Sequence, residues 1–350
     1  MLYSRSSVAY SRLLEMIRDG VYPLYSFLPS ERSLGEALSV GRGSIRAIER
    51  KLCAAGILRY VPERRRYQVL GFEKRHLQRI LVICNSLDPN AFELMQILEG
   101  IHVGATSIGA SVVLNFINHA SYNSDSLLTR YQAGEFRGII HLESYEPAVQ
   151  QKLLSCGVPV LVANNEKDDD CPGVRVDYRS VGRLAGRHLV EAGHRRIAML
   201  GGGKDSSYIY REMLAGLKGA LAEDDIFLDP ACILQITPDM DVFSRLRQLF
   251  SSPSCPTAIF AGRDHWAARV YSCCREMQMK IPEQMSVISY DALSWPEGKD
   301  HGLTTILEPA EEIGRQSVEL LYQWVEKNSA ERQRILEGQL RIGKSVRTIT

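Results

Sequence analysis

Along the first seventy positions apolar residues recur three times at helical spacing and then switch to short strand-like runs. Val8, Leu13, Leu14 and Ile17 predict a helix over Val8 to Asp19, which Gly20 and Pro23 end. Leu34, Ala37 and Leu38 form the stripe of a second helix that opens at Leu28-Pro29-Ser30-Glu31-Arg32. Ser30 is placed to cap it, and Glu31 lies in the first turn, where the helix dipole favours negative charge. After the turn Ser39-Val40-Gly41, Ile45, Ile48 and Leu52 make the apolar face of a third helix from Arg42 to Ala55. Arg42, Arg46 and Arg50, each four residues apart, share an adjoining face. Gly56 stops that helix. Residues 57–61 and 67–70 then flank Pro62-Glu63-Arg64-Arg65-Arg66, which predicts a β-hairpin with a basic tip. Helix, helix, turn, helix and hairpin is the order of a winged helix-turn-helix.

Beyond a charged connector, residues 71–78, short apolar runs alternate with amphipathic helices. Strands are predicted at 79–84, 111–117, 138–142 and 159–163, with helices at 92–100, 124–132 and 148–156 between them. A second series follows: helix 180–191, strand 196–200, helices 212–222 and 242–250, strand 257–261, helix 267–277 and strand 286–290. Short, strongly apolar strands separated by helices imply parallel sheets covered on both faces, an α/β fold, and two such series imply two lobes.

Composition changes this picture little, but the charge distribution sharpens it. The 350 residues are 45% hydrophobic and 24% charged, ordinary for a folded chain of two or three units. The net charge of +1 divides unevenly. Residues 1–75 carry 14 Lys and Arg against 7 Asp and Glu, and the remainder 28 against 34, so the first unit is the one suited to a polyanion. Charges at Arg12, Glu15, Arg18 and Asp19 fall where a signal peptide would be apolar, and no run approaches the roughly 18 apolar residues of a membrane helix, so a cytoplasmic protein is expected. The eight cysteines show no CxxC pair or zinc spacing and read as reduced thiols, with neither metal nor cofactor expected.

The segment LPSERSLGEALSVGRGSIRAIERKL resembles the signature of GntR-type regulators over about residues 8 to 70. The resemblance implies that Arg32, Arg42, Ser44 and Arg46 face operator DNA, with Arg64 and Arg65 of the wing beside them. Arginines of this kind can bind guanine in pairs of hydrogen bonds or neutralise phosphates. Two departures stand out: Gly41 replaces the usual Ser before Arg42, and the wing tip has no glycine to let backbone approach DNA.

The later segments VRVDYRSVGRLAGRHLVEAGHRRIAMLGG, PTAIFAGRDHWAARVY, IPEQMSVISYDAL and GLTTILEPAEEIGRQSVELL resemble the effector domain of LacI/GalR regulators, which is related to periplasmic sugar-binding proteins. A ligand then belongs between two lobes at the carboxyl ends of the strands. The candidates there are Asn85, Phe92, Glu143, Tyr208, Arg263, Asp264, Trp266 and Asp291, and carboxylates and amides beside aromatic plates suit a sugar. By the resemblance Asp291 is the ligand-contacting aspartate, Arg263 stands where Asn is usual, and Met213 occupies the slot of the ligand-gripping arginine, leaving Arg211 as its candidate substitute. The two resemblances together imply a repressor-like regulator of the kind known from arabinose-responsive repressors, a homodimer binding double-stranded operator DNA under control of a small effector. The implied division is 1–70 for the DNA reader, 71–78 for the linker and 79–350 for the effector domain, with an N-lobe of about 79–174 plus 304–328 and a C-lobe of about 175–303 plus 329–350.

Competing readings have specific residues behind them. Gly338 to Ser345, GQLRIGKS, spells a phosphate-binding loop, but only five residues follow, too few for the helix whose amides would hold phosphate. GGGKDS at 201–206 resembles an ATP-pyrophosphatase loop without its first Ser, which leaves a nucleotide-binding enzyme as an alternative. His194, between Gly193 and two arginines, reads as a solvated loop residue rather than a base. A second domain that serves only dimerisation is the remaining alternative, and no catalytic residue is assigned.

Overall fold

The computed structural model describes residues 5–349 apart from 24, 55–56, 70–76, 85–91, 117–122, 143–145, 165–170, 203–206, 238–239, 292–294 and 296. Contacts gather the chain into two compact units, Met1–Arg79 with Asn123–Arg137, and Ile80–Tyr122 with Gly138–Thr350. Most of the expected connector, residues 70–76, lies outside the described residues.

The first unit contains α1 (Arg5–Arg18), α2 (Glu31–Leu38), α3 (Arg42–Ala54) and a hairpin of β1 (Leu58–Val61) and β2 (Arg66–Val69). Leu13, Leu28, Leu34, Ile45, Ile48 and Leu52 meet in one buried cluster, so most of each apolar stripe read from the sequence is a packing face, whereas Val8 and Ala37 are exposed. The Ser30 hydroxyl accepts the backbone N–H of Ser33 at 3.2 Å and thereby caps α2. Ser39, in the left-handed region at φ 56°, ends it. The strands pair antiparallel from Leu58 opposite Val69 to Val61 opposite Arg66.

The second unit is built on two six-stranded sheets, and its elements alternate along the chain as the sequence implies. The first sheet draws on β3 (Arg79–Cys84), β4 (Ser111–Phe116), β5 (Gly138–Leu142), β6 (Val160–Ala163) and β7 (Gly173–Val176), with α4 (Phe92–Ser107), α5 (Ser124–Gln132) and α6 (Pro147–Ser155) between strands; α5 groups with the first unit. The chain then enters the second sheet: α7 (Tyr178–Glu191), β8 (Ile197–Gly202), α8 (Ser207–Ala222), β9 (Ile233–Ile236), α9 (Val242–Phe250), β10 (Ala258–Ala261), α10 (Asp264–Glu276), β11 (Ser286–Asp291), α11 (Glu297–Asp300) and β12 (Thr304–Leu307). The helix α12 (Ala310–Lys327) and β13 (Gln333–Leu336) return to the first lobe, and β14 (Gln339–Arg341) ends in the second. The strand orders are β13-β7-β6-β5-β3-β4 and β14-β12-β11-β10-β8-β9. Recorded pairings are parallel except β12 with β14. The central strands β5, β6 and β10 are buried along their whole length, as sheets with helices on both faces require.

The expected division of the lobes differs in its return segment. Residues 304–307, expected in the N-lobe, form β12, which pairs with β11 of the second sheet, while residues 333–336, expected in the C-lobe, pair with β7 of the first. The chain therefore crosses between lobes three times, after β7, β12 and β13. The four-residue strands β7, β9 and β13 each include at least one polar residue, unlike the equally short but wholly apolar β6 and β10, which is why the sequence did not reveal them. His194 also departs from expectation: it is wholly buried, its Nδ1 lies 2.9 Å from Thr257 Oγ1, and burial lowers its pKa to about 4. All eight cysteines are free thiols, and Cys84, Cys232, Cys273 and Cys274 are buried. Among the described residues no helix is long and apolar enough to cross a membrane.

The phosphate-loop spelling at 338–345 is structural. Residues 339–341 form β14, and the buried Ser345 hydroxyl donates to Val287 O at 2.5 Å and accepts from Thr304 N at 2.8 Å, tying the tail to the second sheet.

Two helix pairs cross at glycines. On α7 and α8, a methyl added at Gly182 would overlap Met213 O, and one at Gly216 would overlap Arg179 O; on α4 and α12, Gly100 meets Glu311 O and Gly314 meets Ile97 O. Each lobe is thus closed by two helices whose backbones touch. We expect Gly216→Ala to destabilise the effector domain by about 3 kcal/mol, the upper part of the usual overpacking range, read as a lowered midpoint in thermal unfolding; an unchanged midpoint would show that the crossing can open at no cost.

Candidate functional site

The first unit presents its arginines on α3 and at the hairpin tip. Arg42 begins α3, and Arg42, Arg46 and Arg50 are exposed while Ile45, Ile48 and Glu49 of the same turns are buried, so the two faces seen in the sequence are real. Arg46 Nε donates to both carboxylate oxygens of Glu31 at 2.9 and 2.8 Å, which links the first residue of α2 to the middle of α3. Arg32 pairs with Glu36 on its own helix at 3.1 Å, and Ser44 is half-buried in the first turn of α3. A concave surface lined in part by Glu31, Arg46, Glu49, Arg50, Arg65 and Tyr67 lies between α3 and the wing.

The glycine-free wing has a structural solution. Residues 62–65 form the turn, and Arg65 takes φ 47°, the left-handed conformation usually left to glycine. Arg64 instead lays its guanidinium over the Phe27 ring, 5.0 Å from its centre. Behind Arg46, the Glu49 carboxylate is buried, and Glu49 Oε2 has no hydrogen-bond partner. Burial, reinforced by Glu31 and opposed by Arg46, raises its pKa from 4.5 to about 7.

In the second unit a polar cluster forms where strand ends of the two lobes converge. Asn164 follows β6 at φ 59° and Asp291 ends β11 at φ 105°, two non-glycine residues held in conformations that cost energy and that persist only where surrounding contacts fix them. The Asn164 amide nitrogen donates to Glu93 Oε1 at 2.6 Å and to Glu308 Oε1 at 2.9 Å, and the Tyr290 hydroxyl donates to Glu308 Oε2 at 2.5 Å. Arg263 reaches Glu93 at 3.4 Å and Asp291 at 3.8 Å. Tyr178, the first residue of α7, stands edge-on to Tyr290 and to Tyr208, with ring centres 6.0 and 6.2 Å away. One carboxylate oxygen from each of Glu93, Asp291 and Glu308 lies within 4.8 Å of the others.

Burial first, and the neighbouring Glu93 second, push the Glu308 carboxyl well above the usual carboxylate range, while Arg263 acts in the opposite direction. Three carboxyl groups, those of Glu93, Asp291 and Glu308, thus crowd together beside one guanidinium. Beside this cluster a pocket of the second lobe is lined by Tyr210, Met213, Arg263, His265 and Trp266, among others. Acceptors, an amide, a guanidinium and aromatic faces can hold hydroxyls and an apolar ring.

The structure brings together two of the expected effector residues, Arg263 and Asp291, and adds Trp266 through the pocket. Tyr208 joins through Tyr178. Asp264 is buried and accepts the Ser289 hydroxyl at 2.5 Å, a bond inside the second lobe. Arg211 is exposed, pairing with Glu212 at 3.7 Å and lying over Tyr208 at 5.5 Å, whereas Met213 is the residue that lines the pocket. Phe92 begins α4; Asn85, Glu143 and residues 203–206 of the GGGKDS segment lie outside the described residues. Sequence reasoning did not select Glu93, Tyr178, Tyr290 or Glu308. Glu93 sits in the first turn of an amphipathic helix, where an acid is ordinary, and Tyr290 lies in an apolar strand; Glu308, just beyond TTIL, was the one legible signal.

Comparison with known proteins follows the same division. Residues 5–67 match the family described as bacterial regulatory proteins, gntR family, and residues 186–346 match the periplasmic binding protein-like domain. A segment similar to the gntR family therefore precedes one similar to periplasmic binding protein-like domains. It is 27% identical over 271 residues to the HTH-type transcriptional repressor CytR of Escherichia coli strain K12, covering 77% of this chain and 78% of that one. Its fold is similar to a LacI-family regulatory protein from Chloroflexus aggregans, with TM-score 0.66, 24% identity and coverage of 77% and 98%, and to a complex of the transcriptional regulator CelR with cellobiose, with TM-score 0.63, 22% identity and coverage of 91% and 100%.

Two outcomes follow from this geometry. Arg65→Gly relieves a left-handed arginine and is expected to stabilise the first unit by roughly 1 kcal/mol in thermal melts; a variant no more stable than wild type would show that the turn is not strained. Because folding raises the Glu49 pKa, the folded chain holds a proton that the unfolded chain releases, so stability falls as pH rises from about 4.5 to about 7 and stays low above it. Glu49→Gln is expected to remove this component of the pH profile, and melts of the two proteins that fall in parallel from pH 4.5 to 8 would refute it.

Proposed function

We propose that this chain is a cytoplasmic transcription regulator, a repressor that binds operator DNA as a homodimer and whose affinity is set by a sugar held between the lobes of the second unit. The observation that carries the reading is the exposed arginine face of α3, presented beside a basic wing in a chain that also contains the convergent polar cluster of a two-lobed effector domain. Arg32, Arg42, Ser44, Arg46, Arg64 and Arg65 are the proposed DNA-facing residues. Arg263, Asp291 and Trp266, with Glu93, Asn164 and Glu308, are the proposed effector-facing ones.

The chemistry supports a sugar because hydroxyl groups both donate to carboxylates and accept from guanidinium and amide groups, and tyrosine and tryptophan faces cover the ring. The CelR relative was solved with cellobiose, which places a carbohydrate in a protein of this fold. A dimer supplies two recognition helices for paired half-sites, since one helix makes few base contacts. Residues 1–70 are proposed as the reader and 79–350 as the effector domain. A sugar that prefers one spacing of the lobes would bias the dimer and so the distance between its recognition helices.

Fluorescence anisotropy of the full chain on duplex DNA from its own promoter region, at several salt concentrations, tests the DNA-binding part. Tight binding that weakens steeply with salt and is lost in the Arg42→Ala, Arg46→Ala double variant is expected. Binding no tighter than to random duplex, or unchanged in the double variant, would reject it.

A further inference from the structure

Arg46 is the one arginine of the exposed face of α3 for which the structure records an ion pair with another helix. Its Nε is engaged by both oxygens of Glu31, while neither Nη makes a hydrogen bond among the described residues, and 60% of the side chain remains exposed. Glu31 is anchored in turn: it is the first residue of α2, directly after the Ser30 cap, and its side chain is half as exposed as that of Arg46, at 31%. A guanidinium held by Nε keeps its two Nη groups side by side and outward, the geometry that donates to O6 and N7 of a guanine at once.

A second observation comes from Gly43, one turn before Arg46 on the same helix. It is exposed, its φ is not positive, and a methyl built on it would meet nothing within 4 Å. No contact within the fold calls for a glycine there. Ala47, one residue beyond Arg46, is small and exposed as well. The missing side chains leave a shallow place on the outer face of α3 where base edges can come close, with the Arg46 guanidinium beside it.

We infer that Glu31 is a positioning residue for base readout: by holding Arg46 through Nε, it aims the two Nη groups at one guanine of the operator. This inference rests on the proposed DNA-binding function and goes further, assigning the role of an acidic residue that carries no attraction for DNA. In the absence of Glu31 the guanidinium rotates freely and is as well placed for a phosphate as for a base. The positive charge remains, so what is lost is discrimination at one base pair.

The full-length protein is used to select binding sites from a randomised duplex library, and anisotropy is then measured on the selected site with each base pair replaced in turn. For wild type, one guanine is expected to be preferred by roughly tenfold to a hundredfold over its replacements. Arg46→Ala loses that preference; Glu31→Ala reduces it to within about threefold while discrimination at the other positions persists, and Glu31→Gln, which retains one acceptor oxygen, falls between. Thermal melts confirm that each variant is folded. The inference is overturned if Glu31→Ala keeps the full preference, if it loses discrimination at every position alike, or if Arg46→Ala weakens binding uniformly with a shallower salt slope, the mark of a phosphate contact. If wild type enriches no sequence, the DNA-binding reading itself fails, an outcome distinct from all of these.

Discussion

One amide group, that of Asn164, stands between two carboxylates from different parts of the effector domain and holds them together. Glu93 comes from the first turn of α4 and Glu308 from the segment that follows β12, and both accept from the same nitrogen. Taking such carboxyl groups out of water is costly unless donors satisfy them. Here the donors are Asn164, Tyr290 and Arg263, and each comes from a different strand end. The ends of β6, β10, β11 and β12 are therefore tied to one another through one polar cluster, and under the proposed function a ligand takes over these bonds rather than adding to an apolar cavity.

The cluster requires lobes that hold their strand ends in place, and the glycine crossings supply that rigidity. With no side chain at Gly182 and Gly216, α7 and α8 approach to backbone contact, and Gly100 with Gly314 does the same for α4 and α12. Three chain crossings, after β7, β12 and β13, join the lobes. Tyr178 and Glu308 each lie at one of these crossings, Tyr178 as the second residue after β7 and Glu308 as the first after β12. Under the proposed function, a ligand that exchanges partners with them acts directly on the connections between lobes, the kind of element through which a change of lobe spacing is carried.

The first unit uses charge differently. Its arginines are mostly exposed, where ion pairs contribute little to stability and the guanidinium stays available to a partner. Arg32 pairs with Glu36, Arg46 with Glu31, and Arg64 lies over Phe27, so three of the six expected DNA-facing residues have partners within the unit. Preorganisation of this kind lowers the entropy lost on binding. The buried Glu49 beneath the same surface works against the unit at neutral pH, a cost that folding of this unit does not require.

The sequence by itself determined the helices of the first unit, the Ser30 cap, the two-faced recognition helix and the α/β character of the remainder, because each depends on spacing along one local segment. It also marked Arg263 and Asp291, which lie at strand ends where a ligand site belongs. Only the tertiary structure decided which strand ends meet, since Glu93, Asn164 and Glu308 are separated by 71 and 144 residues along the chain. It alone placed β12 with the second sheet and β13 with the first, four-residue strands being too short to declare a partner. It also settled His194 and Asp264, polar residues that read as solvent- or ligand-facing but are buried with partners, because satisfaction of a polar group depends on what folding brings beside it.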